Sequence, residues 1–183
     1  SYQENGFVHV PQFLDAEEVR ELKEAVLRAV ESMEESGGAG RVPALHKPSY
    51  YAKVFIQRLN LRLISDVVER YMLSPDLGRM LCDLAGVDAM RVWHDQTLIK
   101  QPYGNPTAWH LDNPYWSFSS RDSISIWIAL DDATLENGCM WFVPGSHKLA
   151  RFETADIGEN LSDLFELYTE MTNVDPEGVP MEQ

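Results

Sequence analysis

The sequence predicts an α+β fold, helices first and an antiparallel sandwich or barrel after them. Apolar residues recur at helical spacing through most of the first 88 residues, and from Ala89 onward the period changes to two. Strong turn signals then punctuate the second half, at Pro102, Gly104 and Pro106, at Asn137-Gly138 and at Pro144-Gly145. At 183 residues the chain fits a single domain, with a helical part over 1–88 and a β-rich core over 89–183.

Taken in order, Phe7-Val8-His9-Val10 reads as a short strand stopped by Pro11. Asp15 caps a helix, with Glu18 as its capping-box partner. Val19, Leu22, Val26, Ala29, Val30 and Met33 give that helix one apolar face. Gly37 to Gly40 end it and open a loop through about Tyr51, either a lid or an ordinary connection. Lys53 begins the next apolar segment. Leu63 to Leu73 reads as helix, and Ser74-Pro75 starts another that stops near Gly86. Leu77, Met80, Leu81 and Leu84 form its buried stripe.

Beyond Ala89, Met90, Val92, His94, Gln96, Leu98 and Lys100 share one strand face, opposite Arg91, Trp93, Asp95, Thr97 and Ile99. Polar groups on both faces suit a strand bordering a wet pocket, and equally one at a sheet edge. A turn-rich link, Gln101 to Ala108, leads to Trp109–Asp112 and an aromatic loop with Tyr115, Trp116 and Phe118. Ser123 to Leu130 reads as a strand in which Ile124, Ile126 and Ile128 alternate with Ser125, Trp127 and Ala129. Asn137-Gly138 signals a hairpin into a strand Cys139–Val143, stopped by Pro144-Gly145-Ser146-His147. After Lys148 the chain turns acidic; Leu161, Leu164, Phe165 and Tyr168 suit a short helix, and Asn173 to Gln183 reads as extended or irregular.

Composition narrows the function. A net charge of −14, from 29 acids against 15 bases, opposes binding to nucleic acid or to anionic lipid. Cys82 and Cys139 lack zinc-type spacing and read as reduced thiols. No apolar run approaches the ~20 residues that span a bilayer, and no basic-then-apolar leader opens the chain, so the expected location is cytoplasmic.

The chemistry centres on Trp109-His110-Leu111-Asp112. In a strand, side chains two residues apart lie on one face, roughly 6.5–7 Å apart. His110 and Asp112 therefore supply an imidazole and a carboxylate to one cation, two members of the facial triad that binds non-haem Fe(II). Alone, His-x-Asp is a weak signal, more often a solvated turn or a structural pair.

Its surroundings are more specific. Trp109-His110-Leu111-Asp112, Ser125-Ile126-Trp127-Ile128-Ala129-Leu130-Asp131-Asp132, Glu136-Asn137-Gly138-Cys139-Met140 and Pro144-Gly145-Ser146-His147 together resemble the phytanoyl-CoA dioxygenase family. Gly6-Phe7-Val8-x-Val10-x-x-Phe13-Leu14 is similar to that family's N-terminal entry. The resemblance runs from about Gly6 to Lys148 and is most specific from Trp109 onward.

It implies a double-stranded β-helix, a cupin-like jelly roll with flanking N-terminal helices. It also implies an Fe(II)- and 2-oxoglutarate-dependent dioxygenase that uses molecular oxygen to hydroxylate a small organic substrate. His110 and Asp112 become the metal ligands and the catalytic pair, and a carboxylate at Asp112 separates the chain from related halogenases. Lys53, Trp127 and His94, with Gln96 as a weaker choice, are carried over as 2-oxoglutarate contacts; the family does not use His147 as a ligand. The loops Gly37–Tyr51 and Asn113–Ser120 fall where relatives select substrate. One departure stands out: no histidine follows His147 and no arginine follows Arg151, whereas the family takes its third ligand and a 2-oxoglutarate-binding arginine from that side. The resemblance thus implies a jelly roll incomplete at its C-terminal end, and residues 1–183 inactive by themselves. The alternative is a non-catalytic jelly-roll binding module that has lost the third ligand.

Overall fold

The structure, a computed structural model, describes residues 1–35, 54–149 and 177–182. In chain order the described helices and strands are α1 (Tyr2–Asn5), α2 (Ala16–Glu35), β1 (Ile56–Leu59), α3 (Asp66–Met72), α4 (Pro75–Ala85), β2 (Gln96–Ile99), β3 (Met140–Phe142) and β4 (Val179–Met181). They fall into two compact units, one of Gln12–Asn105 and one of Ser1–Pro11 with Pro106–Gln183. The expected loop Gly37–Tyr51, Lys53 and the helix around Leu161–Tyr168 lie outside the described residues. No described helix is long and apolar enough to cross a membrane.

In the Gln12–Asn105 unit, α2 starts as its sequence dictates. Asp15 Oδ1 accepts from the Glu17 and Glu18 N–H groups at 2.8 and 2.9 Å, while Glu18 Oε2 accepts from the Asp15 N–H at 2.8 Å. Three N–H groups at the start of the helix are thereby satisfied, those of Asp15 and Glu18 reciprocally. Leu22, Ala25, Val26, Ala29, Val30 and Met33 are buried, so Ala25 joins the expected stripe and Val19 stays half-buried. On the polar side, Glu21 Oε2 accepts from the Tyr71 hydroxyl at 2.8 Å and pairs with Arg70, which ties α2 to α3.

The expected helix Leu63–Leu73 is divided. A tight 3-10 turn, Leu61–Leu63, follows Asn60 at φ +60°; Ser65 then goes extended and caps α3 through its hydroxyl, which accepts from Val68 N–H. A serine that satisfies a helix N-terminus competes with continuing the preceding turn. The helix α4 begins with Pro75 and ends where Gly86 adopts φ +71°, its N–H bonded to the Cys82 carbonyl at 2.8 Å. That glycine stop matches the sequence expectation.

Antiparallel pairing joins β1 to β2, with Ile56 opposite Ile99 and Leu59 opposite Gln96. The long strand expected from Ala89 is paired only over Gln96–Ile99. Its partner ends at Leu59, and Asp95 meets a turn instead of a strand: its carbonyl accepts from Asn60 N–H at 2.8 Å. The Asp95 carboxylate, only 6% exposed, lies 3.3–3.4 Å from the Arg62 N–H and 3.6 Å from Arg62 Nε. A polar group in this strand is thus accounted for by structure, not by a pocket.

In the other unit, β3 pairs antiparallel with β4, Trp141 opposite Pro180. The N-terminal residues pack on the same unit: Phe7 stacks on Phe142 at 4.9 Å, and the Asn5 carbonyl accepts from Gly145 N–H at 2.8 Å. Phe7–Val10 is therefore not a strand. Gly6, at φ +85°, ends α1 and turns Phe7 toward Phe142. A Cβ on Gly6 would also lie 2.3 Å from His147 Nδ1. Gly6→Ala should destabilise the protein by more than about 1 kcal/mol, from left-handed strain plus this clash. Urea unfolding of the single variant and of Gly6→Ala/His147→Gly checks it, the double variant relieving the clash with the His147 side chain and keeping the left-handed strain.

Two further expectations are corrected among the described residues. Ser123–Leu130 has no ladder partner, and Asn137-Gly138 makes no hairpin: the strand after it shortens to Met140–Phe142 and takes β4 as partner. The reason is local. Asn137 Oδ1 accepts from Thr134 N–H at 2.8 Å and its Nδ2 donates to the Asp132 carbonyl, while the Gly138 and Cys139 N–H groups close on the Thr134 carbonyl. The asparagine builds a helix-like turn instead of the two-residue turn that joins strands. Helices ahead of small antiparallel sheets are observed; no closed barrel appears among the described residues.

Candidate metal centre

The site is built in the unit that contains β3 and β4. Trp109 is seated first: a Cβ on Gly178 would lie 2.7 Å from Trp109 Cη2 and 3.1 Å from Trp141 Cε3, so both rings close on a residue with no side chain. Only glycine permits that approach. Next, Ala108 is buried and its carbonyl stands 2.8 Å from His110 Nδ1. A carbonyl can only accept, so Nδ1 carries a proton and Nε2 is the atom left for other work.

His110 Nε2 lies 3.4 Å from Asp112 Oδ1. The two side chains meet through a bend, not along a flat strand. Asp112 sits at φ −75°, ψ −40° and its carbonyl receives the Tyr115 N–H at 3.0 Å, opening a 3-10 turn over Asn113–Tyr115. The other carboxylate oxygen, Oδ2, accepts from the Ser125 hydroxyl at 2.6 Å. His110 and Asp112 keep 34% and 49% of their side-chain surface, so the space between them opens to solvent.

Each group shifts the other. The bond from Asp112 raises the His110 pKa above 6.5, with help from the Ala108 carbonyl and against the cost of burial. The bond from His110 lowers the Asp112 pKa below 3.8; burial opposes it and Ser125 assists. An NMR titration of the metal-free protein should therefore find the His110 ring titrating above the ordinary histidine range. Asp112→Asn, which removes the charge, should bring it down. An unmoved titration in that variant means that the pair does not form.

The donor set fits a divalent cation. An imidazole Nε2 and a carboxylate Oδ1 that face each other 3.4 Å apart would be the atoms to hold it. When the imidazole is protonated, the proton on Nε2 faces Oδ1 and occupies the lone pair that a metal would take. Among the described residues no third His, Cys, Asp or Glu joins the pair.

Of the other residues expected here, Trp127 lies in the same unit, 40% exposed and two residues beyond Ser125. His94 and Gln96 belong to the other unit and have local partners. The His94 ring tilts against Trp93 at 4.0 Å, with burial pushing its pKa down, and Gln96 Oε1 accepts from Gln57 Nε2 at 2.7 Å. His147 packs against Gly6. Ser125 was not among the candidates read from sequence. Alternation placed it on the same face as Trp127, but its acceptor lies 13 residues away in another segment.

A histidine and a carboxylate two residues apart, with Nε2 and Oδ1 turned toward each other, are two of the donor types that a facial-triad metal centre uses. The chain belongs to the phytanoyl-CoA dioxygenase (PhyH) family, whose model matches residues 2–175. It is similar to the dioxygenase lolE1 of Epichloe uncinata, 46% identical over 77 residues, which are 42% of this chain and 30% of that protein. A phytanoyl-CoA dioxygenase of Arabidopsis thaliana is 39% identical over 71 residues, 37% of this chain and 25% of the relative. A probable alpha-ketoglutarate-dependent hypophosphite dioxygenase of Stutzerimonas stutzeri is 25% identical over 148 residues, 80% of this chain and 51% of the relative. The matches thus span about half or less of these relatives' own lengths. No solved structure matches the chain.

Proposed function

We propose that this chain carries part of the active site of an Fe(II)- and 2-oxoglutarate-dependent dioxygenase that hydroxylates a C–H bond of a small organic substrate. The observation that carries the reading is the approach of His110 Nε2 to Asp112 Oδ1 at 3.4 Å, inside the stretch that matches the family. Such a centre, when loaded, couples the oxidation of 2-oxoglutarate to succinate and carbon dioxide with the insertion of one oxygen atom into substrate.

The residues present have defined tasks in that scheme. His110 offers Nε2 because the Ala108 carbonyl holds the proton on Nδ1. Asp112 offers Oδ1 and one negative charge, which neutralises half of a divalent ion and keeps the other positions free for small ligands. A carboxylate in this place also denies a halide the position it occupies in halogenases. Lys53, His94, Gln96 and Trp127 remain 2-oxoglutarate contacts by family resemblance alone, as does the jelly roll that would arrange them. A small-molecule substrate and molecular oxygen are the partners this reading requires.

The test uses the protein at its natural full length, freed of metal and then supplied with Fe(II), ascorbate and 2-oxoglutarate. Iron-dependent succinate release above that of free Fe(II), abolished by a chelator, is the expected result. Binding of 2-oxoglutarate without any turnover, across a panel of small organic substrates, would instead establish the non-catalytic module.

A further inference from the structure

We propose that Ser125 is a positioning residue for the metal-binding carboxylate, its hydroxyl holding Asp112 so that Oδ1 faces His110 Nε2. The proposal rests on the metal-centre reading above. The Ser125 Oγ–H to Asp112 Oδ2 distance is 2.6 Å, within the short range of a hydroxyl bonded to an ionised carboxylate.

Its effect follows from the freedom it removes. The carboxylate torsion of an aspartate is broad and two-fold, so an untethered Asp112 presents either oxygen, or both, to a cation. The Ser125 hydroxyl takes one lone pair of Oδ2 and fixes the torsion, which turns toward the metal the oxygen already 3.4 Å from Nε2. A single oxygen ligand takes one position at the ion where a bidentate carboxylate takes two. The histidine is fixed by the same logic from its other side, through Nδ1 and the Ala108 carbonyl. Both donors are thus oriented by a hydrogen bond that points away from the metal, and the two anchors differ in kind. Ala108 is local to the bend, whereas Ser125 comes from a separate segment 13 residues beyond Asp112. The orientation of the carboxylate therefore reports whether the segment around Ser125 is in place.

The experiment measures Co(II) binding by the visible absorption of the metal, titrated into the metal-free, full-length protein. Ser125→Ala should weaken Co(II) binding about 10- to 100-fold, the usual loss when an outer partner of a ligand is removed. Ser125→Thr, which keeps the hydroxyl, should bind within about 3-fold of wild type by the same reasoning. Ser125→Val has the shape of threonine without the hydroxyl and should behave as Ser125→Ala does, which holds the comparison even if the alanine variant folds poorly. Equal Co(II) affinity in the threonine and valine variants overturns the proposal while leaving the centre intact. No Co(II) binding by the wild-type protein overturns the metal-centre reading itself, and this proposal with it.

Discussion

Asp112→Ala should abolish iron-dependent turnover of 2-oxoglutarate in the full-length protein and leave the fold largely intact. The substitution removes an oxygen donor and its charge outright, so the loss of metal affinity should exceed the roughly 10- to 100-fold that follows from losing an outer partner. It also strips His110 Nε2 of its acceptor and the Ser125 hydroxyl of its own. Stability should change little, because about half of the Asp112 side chain already faces solvent. The check is a Co(II) titration together with succinate release, both read beside a thermal melt. Metal affinity equal to wild type in a folded Asp112→Ala protein would remove this carboxylate from the centre.

Asp95→Ala should produce the largest loss of stability among the single substitutions considered, and it lies in the other unit. The Asp95 carboxylate is 6% exposed and faces an Arg62 side chain that is 20% exposed. Arg62 Nε is buried with no hydrogen-bond partner; at 3.6 Å from Oδ1 it is held by charge, not by a bond. Removing the carboxylate leaves a largely buried guanidinium without its counter-charge and an amide at the 3-10 turn without its acceptor. Breaking one side of a buried pair costs about 3–5 kcal/mol, and the long distances here point to about 3. Urea unfolding measures it, and Arg62→Met on top of Asp95→Ala should recover a good part by removing the stranded charge. A loss below about 1 kcal/mol, the level of an exposed pair, would show that the pair is solvated.

These two residues mark the boundary of what the sequence disclosed. Signals that act within a few residues were legible: Asp15 and Glu18 at the start of α2, Pro75 and Gly86 around α4, and the two-residue spacing of His110 and Asp112. Signals that depend on a remote partner were not. Asp95 read as one polar residue in an alternating strand, because nothing nearby announces that Arg62 and the turn after β1 wait for it. Ser125 reads only as one member of the face it shares with Trp127 and Ala129, because its acceptor is a residue in a different segment. Asn137-Gly138 was misread for a subtler reason. The dipeptide suits a two-residue hairpin turn, but here the Asn137 side chain bonds backward to Thr134 and Asp132, which its sequence neighbours permit and do not require. The means by which His110 and Asp112 meet was equally hidden, since a bend at Asp112 does what a flat strand was expected to do.

The interleaving of the two units has a temporal side. Gln12–Asn105 is one continuous stretch, and its paired strands β1 and β2 are both made by Asn105. The first eleven residues belong elsewhere: the Asn5 carbonyl, Gly6 and Phe7 find Gly145, His147 and Phe142. At synthesis rates of about 5–20 residues per second, the leading segment waits on the order of ten seconds for residues that close over it. During that wait Phe7 has no ring to stack on and α1, a single turn, has little to hold it. The Gln12–Asn105 stretch can therefore close before Phe142 has been made, and the histidine–carboxylate pair lies in the unit that closes after it.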